Sequence, residues 1–266
     1  MKTRILSALL LILICVPLLV IGGIPFDILV LLISIMALYE IFKVRKTKKK
    51  IPFGMELCSY ILVAFLTMNN YQSTNLFISI DYRLVAFMIF FLLFPIVFIN
   101  DNKKYNVDDA LFLIGATLFI GLSLNMVILL RNYDLNYVLY VLLISCITDT
   151  FALVTGTLIG RNKVCPKISP KKTIEGCVGG SVMGTAVSVI FFITCINPSI
   201  KLSIIIGVTF ILTIIGQIGD LVFSAIKRYY GLKDFSNLIP GHGGVLDRLD
   251  SSIFVVLGLL LFMVIL

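Results

Sequence analysis

Charge is scarce in this 266-residue chain: Asp, Glu, Lys and Arg make up 14% of it, hydrophobic residues 59%, and the mean hydropathy is +1.09. Water-soluble domains run at about 25% charged and about 45–50% apolar residues. A core of this size has no room for the excess, so a soluble globule is excluded and most of the apolar surface must face lipid. No hydrophilic stretch is long enough for an extramembrane domain, and neither a repeat nor a low-complexity tract is evident. Any chemistry must therefore occur in the bundle or its loops. The six cysteines (Cys15, Cys58, Cys146, Cys165, Cys177, Cys195) form no CxxC or CxxxH pair and lie mostly in apolar runs, which argues against a disulfide or zinc framework and for inert small hydrophobes.

The apolar runs fall near 5–21, 24–42, 54–68, 83–99, 110–130, 136–159, 178–196, 202–226 and 251–266. Several approach the ~20 residues needed to cross the hydrocarbon core; the third is the shortest. The expected fold class is an all-α, polytopic integral membrane bundle of about nine transmembrane helices with a cytoplasmic N-terminus. It forms one membrane domain over 1–266, with N-terminal spans in 1–135 and catalytic helices and cytoplasmic loops in 136–266.

The net charge of +8 would suit nucleic acid, but in a membrane chain basic residues also set topology. Their distribution decides for topology. With the N-terminus inside, the segment before Ile5, the run 43–50 and the loops 100–109, 160–177 and 227–250 hold 19 of the 22 Lys and Arg, leaving Arg83, Arg131 and Lys201 for the opposite face. The expected location is a plasma membrane, bacterial because no transit segment is seen, with the functional loops cytoplasmic. Met1 to Gly23 lacks a convincing small-x-small cleavage site and runs straight into another span, so it reads as a retained first helix. The run KVRKTKKK from Lys43 to Lys50 reads as a positive-inside determinant in preference to an anionic-lipid docking patch.

Carboxylates inside apolar helices are costly and by default mark function. Asp149 and Asp220 are two such residues. Gln217, Asp220, Ser224 and Lys227 share one helical stripe leading to the cytoplasmic end, as expected for the lining of a cavity. In the loop that follows, Gly241, Gly243 and Gly244 bring bare backbone N–H groups together, a turn able to hold an anion. Asp247 and Asp250 flank Arg248 on one helical face, and carboxylates beside Lys and Arg suggest divalent metal plus phosphate. The other dense loop, GRNKVCPKISPKKTIEGCVGG, makes Lys171 and Lys172 candidates for phosphate contact. His242, the only histidine, is weak evidence by itself.

The stretch Ser224-Ala-Ile-Lys227-Arg228, Lys233-Asp234 and Pro240-Gly-His242-Gly243-Gly244-Val-Leu-Asp247-Arg248-Leu-Asp250 resembles the signature of the phosphatidate cytidylyltransferases, also called CDP-diacylglycerol synthases. A second stretch, from Asp149 through Gly160-Arg161 to Ser169-Pro170-Lys171-Lys172-Thr173-Ile174-Glu175-Gly176, is similar to that family's other familiar segment. Together they cover roughly the C-terminal half; the N-terminal spans are alike only in being hydrophobic. The chain departs from the family at Ile174, commonly Trp there although this protein has none, and at Phe223, where an acidic residue is frequent.

The resemblance implies an integral membrane nucleotidyltransferase of phospholipid synthesis, condensing CTP with phosphatidic acid to CDP-diacylglycerol and pyrophosphate. The metal candidates read from the residues, Asp220, Asp247 and Asp250, fit this reaction: Mg²⁺ on Asp220 and Asp247, with Asp250 and Ser224 joining them and room for a second cation. Lys227, Arg228, Lys233 and Arg248 would neutralise phosphates, Lys171 and Lys172 would close over from the other loop, and Asp149 would complete the metal site or orient a lysine. His242 belongs to the same candidate set. The expected partners are CTP, phosphatidic acid and membrane lipid, without nucleic acid; a homodimer is compatible with the family. Three rivals fit less well. A CTP-dependent polyprenol or phytol kinase would pass on the γ-phosphoryl group instead. A transporter would carry polar breaks in both halves, and a phosphatidyltransferase would need a DG/AR-type motif that is not found here.

Overall fold

A computed structural model describes residues 2–69, 82–99, 104–241, 243–263 and 265–266. It is the expected all-α bundle, and the sheet among the described residues is a single two-stranded hairpin. The chain clusters into two compact units: residues 1–133 with 234–246, and residues 134–233 with 247–266.

The first unit contains α1 (Lys2–Ile21), α2 (Gly23–Arg45), α3 (Phe53–Thr67), α4 (Tyr82–Leu93), α5 (Pro95–Phe98) and α6 (Val107–Tyr133). Its hub is α6, which packs on α2, α3 and α4. The buried positions Leu113, Thr117, Ile120, Leu124 and Ile128 recur at three- and four-residue spacing, so one stripe of the helix meets its neighbours. Gly121 permits the close approach of α3: a Cβ there would stand 2.8 Å from the Cβ of Leu66. At the start of α6, fully buried Asp109 accepts from Arg45 (2.9 Å) and Lys49 and from the Asn106 N–H (3.1 Å). Lys46 pairs with Glu56 at 2.7 Å. Three cations of the basic run are thus engaged by carboxylates of this unit. Arg131 donates to the carbonyls of Leu19 (2.5 Å) and Val20 (2.7 Å), meeting the unpaired C-terminal acceptors of α1.

The second unit contains α7 (Leu135–Leu158), β1 (Lys163–Cys165), β2 (Ser169–Thr173), α8 (Ile174–Cys195), α9 (Leu202–Tyr229) and α10, which runs Leu246–Phe262 and so begins at the edge of the first unit. Helices α7 and α8 pack almost backbone to backbone. A Cβ on Gly180 would come within 2.6 Å of the Thr148 carbonyl oxygen, and one on Gly176 within 2.6 Å of that of Ala152. Small residues at such an interface let dispersion and polar contacts hold helices together where lipid offers no hydrophobic drive. Helix α9 joins α7 through Tyr140, whose hydroxyl lies 2.7 Å from Thr209 Oγ1 and whose ring meets Phe192 edge-on.

Among the described residues five helices, α2, α6, α7, α8 and α9, are long and apolar enough to cross a membrane by themselves. The outward surface agrees: Val97 and Leu158 are 78% and 77% exposed, and hydrating such side chains forfeits about 1.5–3 kcal/mol each, whereas lipid contact does not. Eight of the nine apolar runs fall on single helices, but the run 83–99 is divided between α4 and α5. Pro95 has no N–H to continue the ladder and instead opens α5 as its first residue. The loop 160–177 also differs from expectation. It is an antiparallel hairpin with Lys163 opposite Thr173 and Cys165 opposite Ser169, and α8 begins directly after it.

Candidate active site

The C-terminal half of α9 carries the stripe read from the sequence. Ser224 Oγ donates to Asp220 Oδ1 at 3.3 Å, one helical turn away. Gln217 donates to Ser181 Oγ (2.7 Å) and to the Cys177 carbonyl (3.2 Å), fixing α9 to α8. Lys227 is buried and holds Asp247 Oδ1 at 2.6 Å, which ties the first turn of α10 to the last turns of α9. On the same stretch Phe223 is buried against Phe254, ring centroids 6.1 Å apart and nearly perpendicular. That departure from the family pattern is core packing.

The hairpin supplies the second cation. Lys172 Nζ is 2.5 Å from Asp220 Oδ2 and 3.5 Å from the Gln217 carbonyl. Neighbours on a strand point to opposite faces, so Lys171 beside it is exposed. Local capping holds the hairpin in place. Thr173 Oγ1 accepts from the Gly176 N–H and caps α8 (3.1 Å), while the Glu175 carboxylate takes the N–H groups of Arg161 and Asn162. Arg228 extends from α9 to the Ile168 carbonyl at 3.3 Å, between the strands, and to Leu232 O at 3.0 Å.

Asp149 on α7 accepts from Ser251 Oγ of α10 at 3.0 Å, and the backbone N–H of Ser251 lies 2.9 Å from Asp250 Oδ1. Around Asp149 the hydroxyls of Ser145, Thr148, Thr213 and Ser251 pack with Ile144 and Val255, too tightly to admit a water molecule. In the second unit these contacts form three links on β2 and the packed helices α7, α9 and α10: Lys172–Asp220–Ser224, Lys227–Asp247 and Asp149–Ser251–Asp250. Lys233, in the bend after α9, and Arg248, in the first turn of α10, are exposed. His242 lies outside the described residues.

The glycine loop preceding α10 belongs to the first unit. Gly241 and Gly243 have φ of 78° and 86°, values that side chains with a Cβ resist, and Ile239 N donates to Gly243 O at 2.9 Å to close the turn. A residue without any flag in the sequence holds the loop: Glu40 of α2 accepts from Ser236 Oγ, Val245 N and Leu246 N. Its only cue is a carboxylate near the end of an apolar span.

Among the described residues no group of three or more His, Cys, Asp or Glu is gathered tightly enough to hold a metal by itself. The donors are carboxylate and hydroxyl oxygens, which suit Mg²⁺, an ion commonly held by one or two carboxylates together with substrate phosphates. Asp220 and Asp247 each engage a lysine through one oxygen at most 2.6 Å away, so both already face positive charge.

The profile of the cytidylyltransferase family matches residues 2–266. The chain is 34% identical to a phosphatidate cytidylyltransferase of Bacillus subtilis (strain 168) over 258 residues, covering 96% of this chain and 94% of that protein. It is 35% identical over 257 residues to the protein of the same name from Staphylococcus haemolyticus (strain JCSC1435), covering 96% of each. The protein so named from Staphylococcus aureus (strain COL) is 31% identical over 257 residues, again covering 96% of each.

Proposed function

The chain belongs to the cytidylyltransferase family, and from that membership we propose that it joins CTP to phosphatidic acid, giving CDP-diacylglycerol and pyrophosphate at the cytoplasmic face of a bacterial plasma membrane. The observation that carries the reading is the pair of ion pairs on α9, Lys172–Asp220 and Lys227–Asp247. Two lysines and two carboxylates at one end of polar-lined helices provide cations for phosphate oxygens and anions for a metal. A lipid phosphate at the interface and a soluble triphosphate can both reach such a place.

In the reaction a phosphate oxygen of phosphatidic acid attacks the α-phosphorus of CTP in line. The new P–O bond forms as the bond from the α-phosphorus to the bridging oxygen breaks, and pyrophosphate departs with that electron pair. A phosphomonoester is largely ionised near neutral pH, so the nucleophile needs no strong base. The barrier is repulsion between anions, so positioning and charge neutralisation do the catalytic work.

Lys172 and Lys227 turn from their aspartates to the incoming phosphates, supported by Lys171, Arg228, Lys233 and Arg248. Asp220 and Asp247, with Ser224 and Asp250 beside them, would hold Mg²⁺, which supplies further neutralisation of phosphate charge when bound. Asp149 orients Ser251 and through it the Asp250 backbone segment.

The test uses purified protein in detergent with phosphatidic acid, Mg²⁺ and CTP labelled separately at the α and γ positions. The expected result is α label in the lipid and γ label in pyrophosphate. Transfer of γ label to an added lipid alcohol would instead assign a kinase.

A further inference from the structure

We infer that Glu40, far from the signature in sequence, is a positioning residue for the turn that leads into Asp247. The inference rests on the proposed reaction only for its kinetic consequence. Glu40 is 0% exposed, on the last turns of α2. Its Oε1 accepts from Ser236 Oγ at 2.5 Å and from Val245 N at 2.8 Å, and its Oε2 accepts from Leu246 N at 2.9 Å. Ser236 opens the glycine loop, and Val245 and Leu246 close it, so a single carboxylate clasps both ends.

The chemistry explains why a carboxylate stands there. Leu246 is the first residue of α10, and the leading N–H groups of a helix have no intrahelical acceptor. Their positive end favours a negative group. A buried carboxylate is costly unless hydrogen-bonded, and these three donors meet that need. The neighbouring backbone is shaped to the same group: a Cβ on Gly244 would stand 2.5 Å from Glu40 Oε1 and 2.7 Å from Oε2. Gly244 is thus the residue that lets the carboxylate reach the N–H groups beyond it.

Asp247 follows Leu246 directly in the chain. Two of the three donors are the backbone N–H groups of Val245 and Leu246, so the clasp acts directly on the chain where α10 begins. Loss of the grip shifts the start of α10, and displacement of a catalytic group by about 1 Å costs on the order of 10²-fold in rate.

The experiment compares wild type with Glu40→Gln and Ser236→Ala, full-length and in detergent, by hydrogen exchange resolved to the segment 243–250 and by steady-state kinetics. In Glu40→Gln an amide NH₂ replaces one acceptor oxygen and confronts a backbone N–H. Exchange at Val245 and Leu246 is expected to quicken by about tenfold or more, with α6 and α9 peptides unchanged. Alongside it kcat falls by about 10²-fold and KM for both substrates stays within about threefold. Ser236→Ala removes one donor and keeps the charge. It should show a smaller change of the same pattern, and it serves as the test if Glu40→Gln does not fold.

Wild-type exchange at Val245 and Leu246 in the folded variants would overturn the clasp. Faster local exchange with unchanged kcat, or faster exchange throughout the protein, would overturn the positioning role and leave a merely structural carboxylate. If wild type itself transfers no cytidylyl group, the reaction assignment fails, while the exchange data still judge the clasp.

Discussion

Lys227 Nζ and Asp247 Oδ1 lie 2.6 Å apart with side chains only 10% and 7% exposed, so the ion pair that joins α9 to α10 is buried. Removing one partner from a buried pair leaves an uncompensated charge and costs about 3–5 kcal/mol, whereas replacing both by apolar or neutral groups is often tolerated. Asp247→Asn and Lys227→Met should each lower the thermal midpoint in detergent. The double variant should recover much of that loss, yet it should stay inactive in the labelled-CTP assay, because both charges are assigned to the reaction. Recovery of activity together with stability would show that the pair only holds the helices.

The second pair behaves differently. Lys172 and Asp220 are 19% and 24% exposed, and solvent screening reduces what such a pair contributes to stability. Asp220→Asn should therefore lower the midpoint less than Asp247→Asn does, while turnover drops by about 10²-fold or more. Metal removal probes the same carboxylate. Chelation should stop turnover in wild type and added Mg²⁺ should restore it. Mn²⁺ binding followed by electron paramagnetic resonance should weaken in Asp220→Asn, and unchanged Mn²⁺ affinity there would remove Asp220 from the metal site.

A third expectation concerns the scaffold. At Gly176 an added methyl group would face the Ala152 carbonyl at 2.6 Å and Thr173 Oγ1 at 2.9 Å. The first is backbone and cannot swing aside, so Gly176→Ala forces α7 from α8 at an overpacking cost of about 1–3 kcal/mol. Thermal unfolding should register that loss, and Lys172, whose strand is capped by Thr173 onto the same helix, should lose its hold on Asp220. A wild-type midpoint would mean that the two helices separate without cost.

What was legible in the sequence follows the range of each interaction. The Asp220, Ser224 and Lys227 stripe is a matter of helical spacing, and the structure joins Ser224 to Asp220 within one turn. Spans of near-uniform hydropathy were legible for the same reason, while the break at Pro95 required giving its missing N–H more weight than the apolar run around it. The hairpin went unread because 163–173 lacks an alternating apolar pattern; it is held by Glu175 and Thr173, residues that also suit an ordinary turn. Long-range partners were not legible at all. Nothing near Glu40 in the chain reveals the loop some two hundred residues on that it accepts from, with separations of 196, 205 and 206. The metal roles proposed for Asp220, Asp247 and Asp250 rest on family resemblance and donor chemistry, because ligand geometry is not a property of sequence spacing.

Phe223 allows the departure from the family pattern to be tested directly. The residue is 1% exposed and meets Phe254 edge-on, and Gly219, one turn earlier, leaves room for that ring: a Cβ there would come within 2.6 Å of it. A carboxylate at this position would have to be desolvated inside a packed aromatic contact, adding the burial of a charged group to the loss of a large apolar side chain, which alone costs about 3–5 kcal/mol. Phe223→Glu should therefore lower the thermal midpoint strongly. Phe223→Leu keeps the apolar volume closer and should lower it only slightly. If Phe223 belongs to the core and not to the nucleotide site, KM for CTP in Phe223→Leu should remain within about threefold of wild type. A larger rise in KM at an unchanged midpoint would place the Phe223–Phe254 contact in nucleotide recognition, and the acidic residue common in the family would then mark a real difference in how this chain receives CTP.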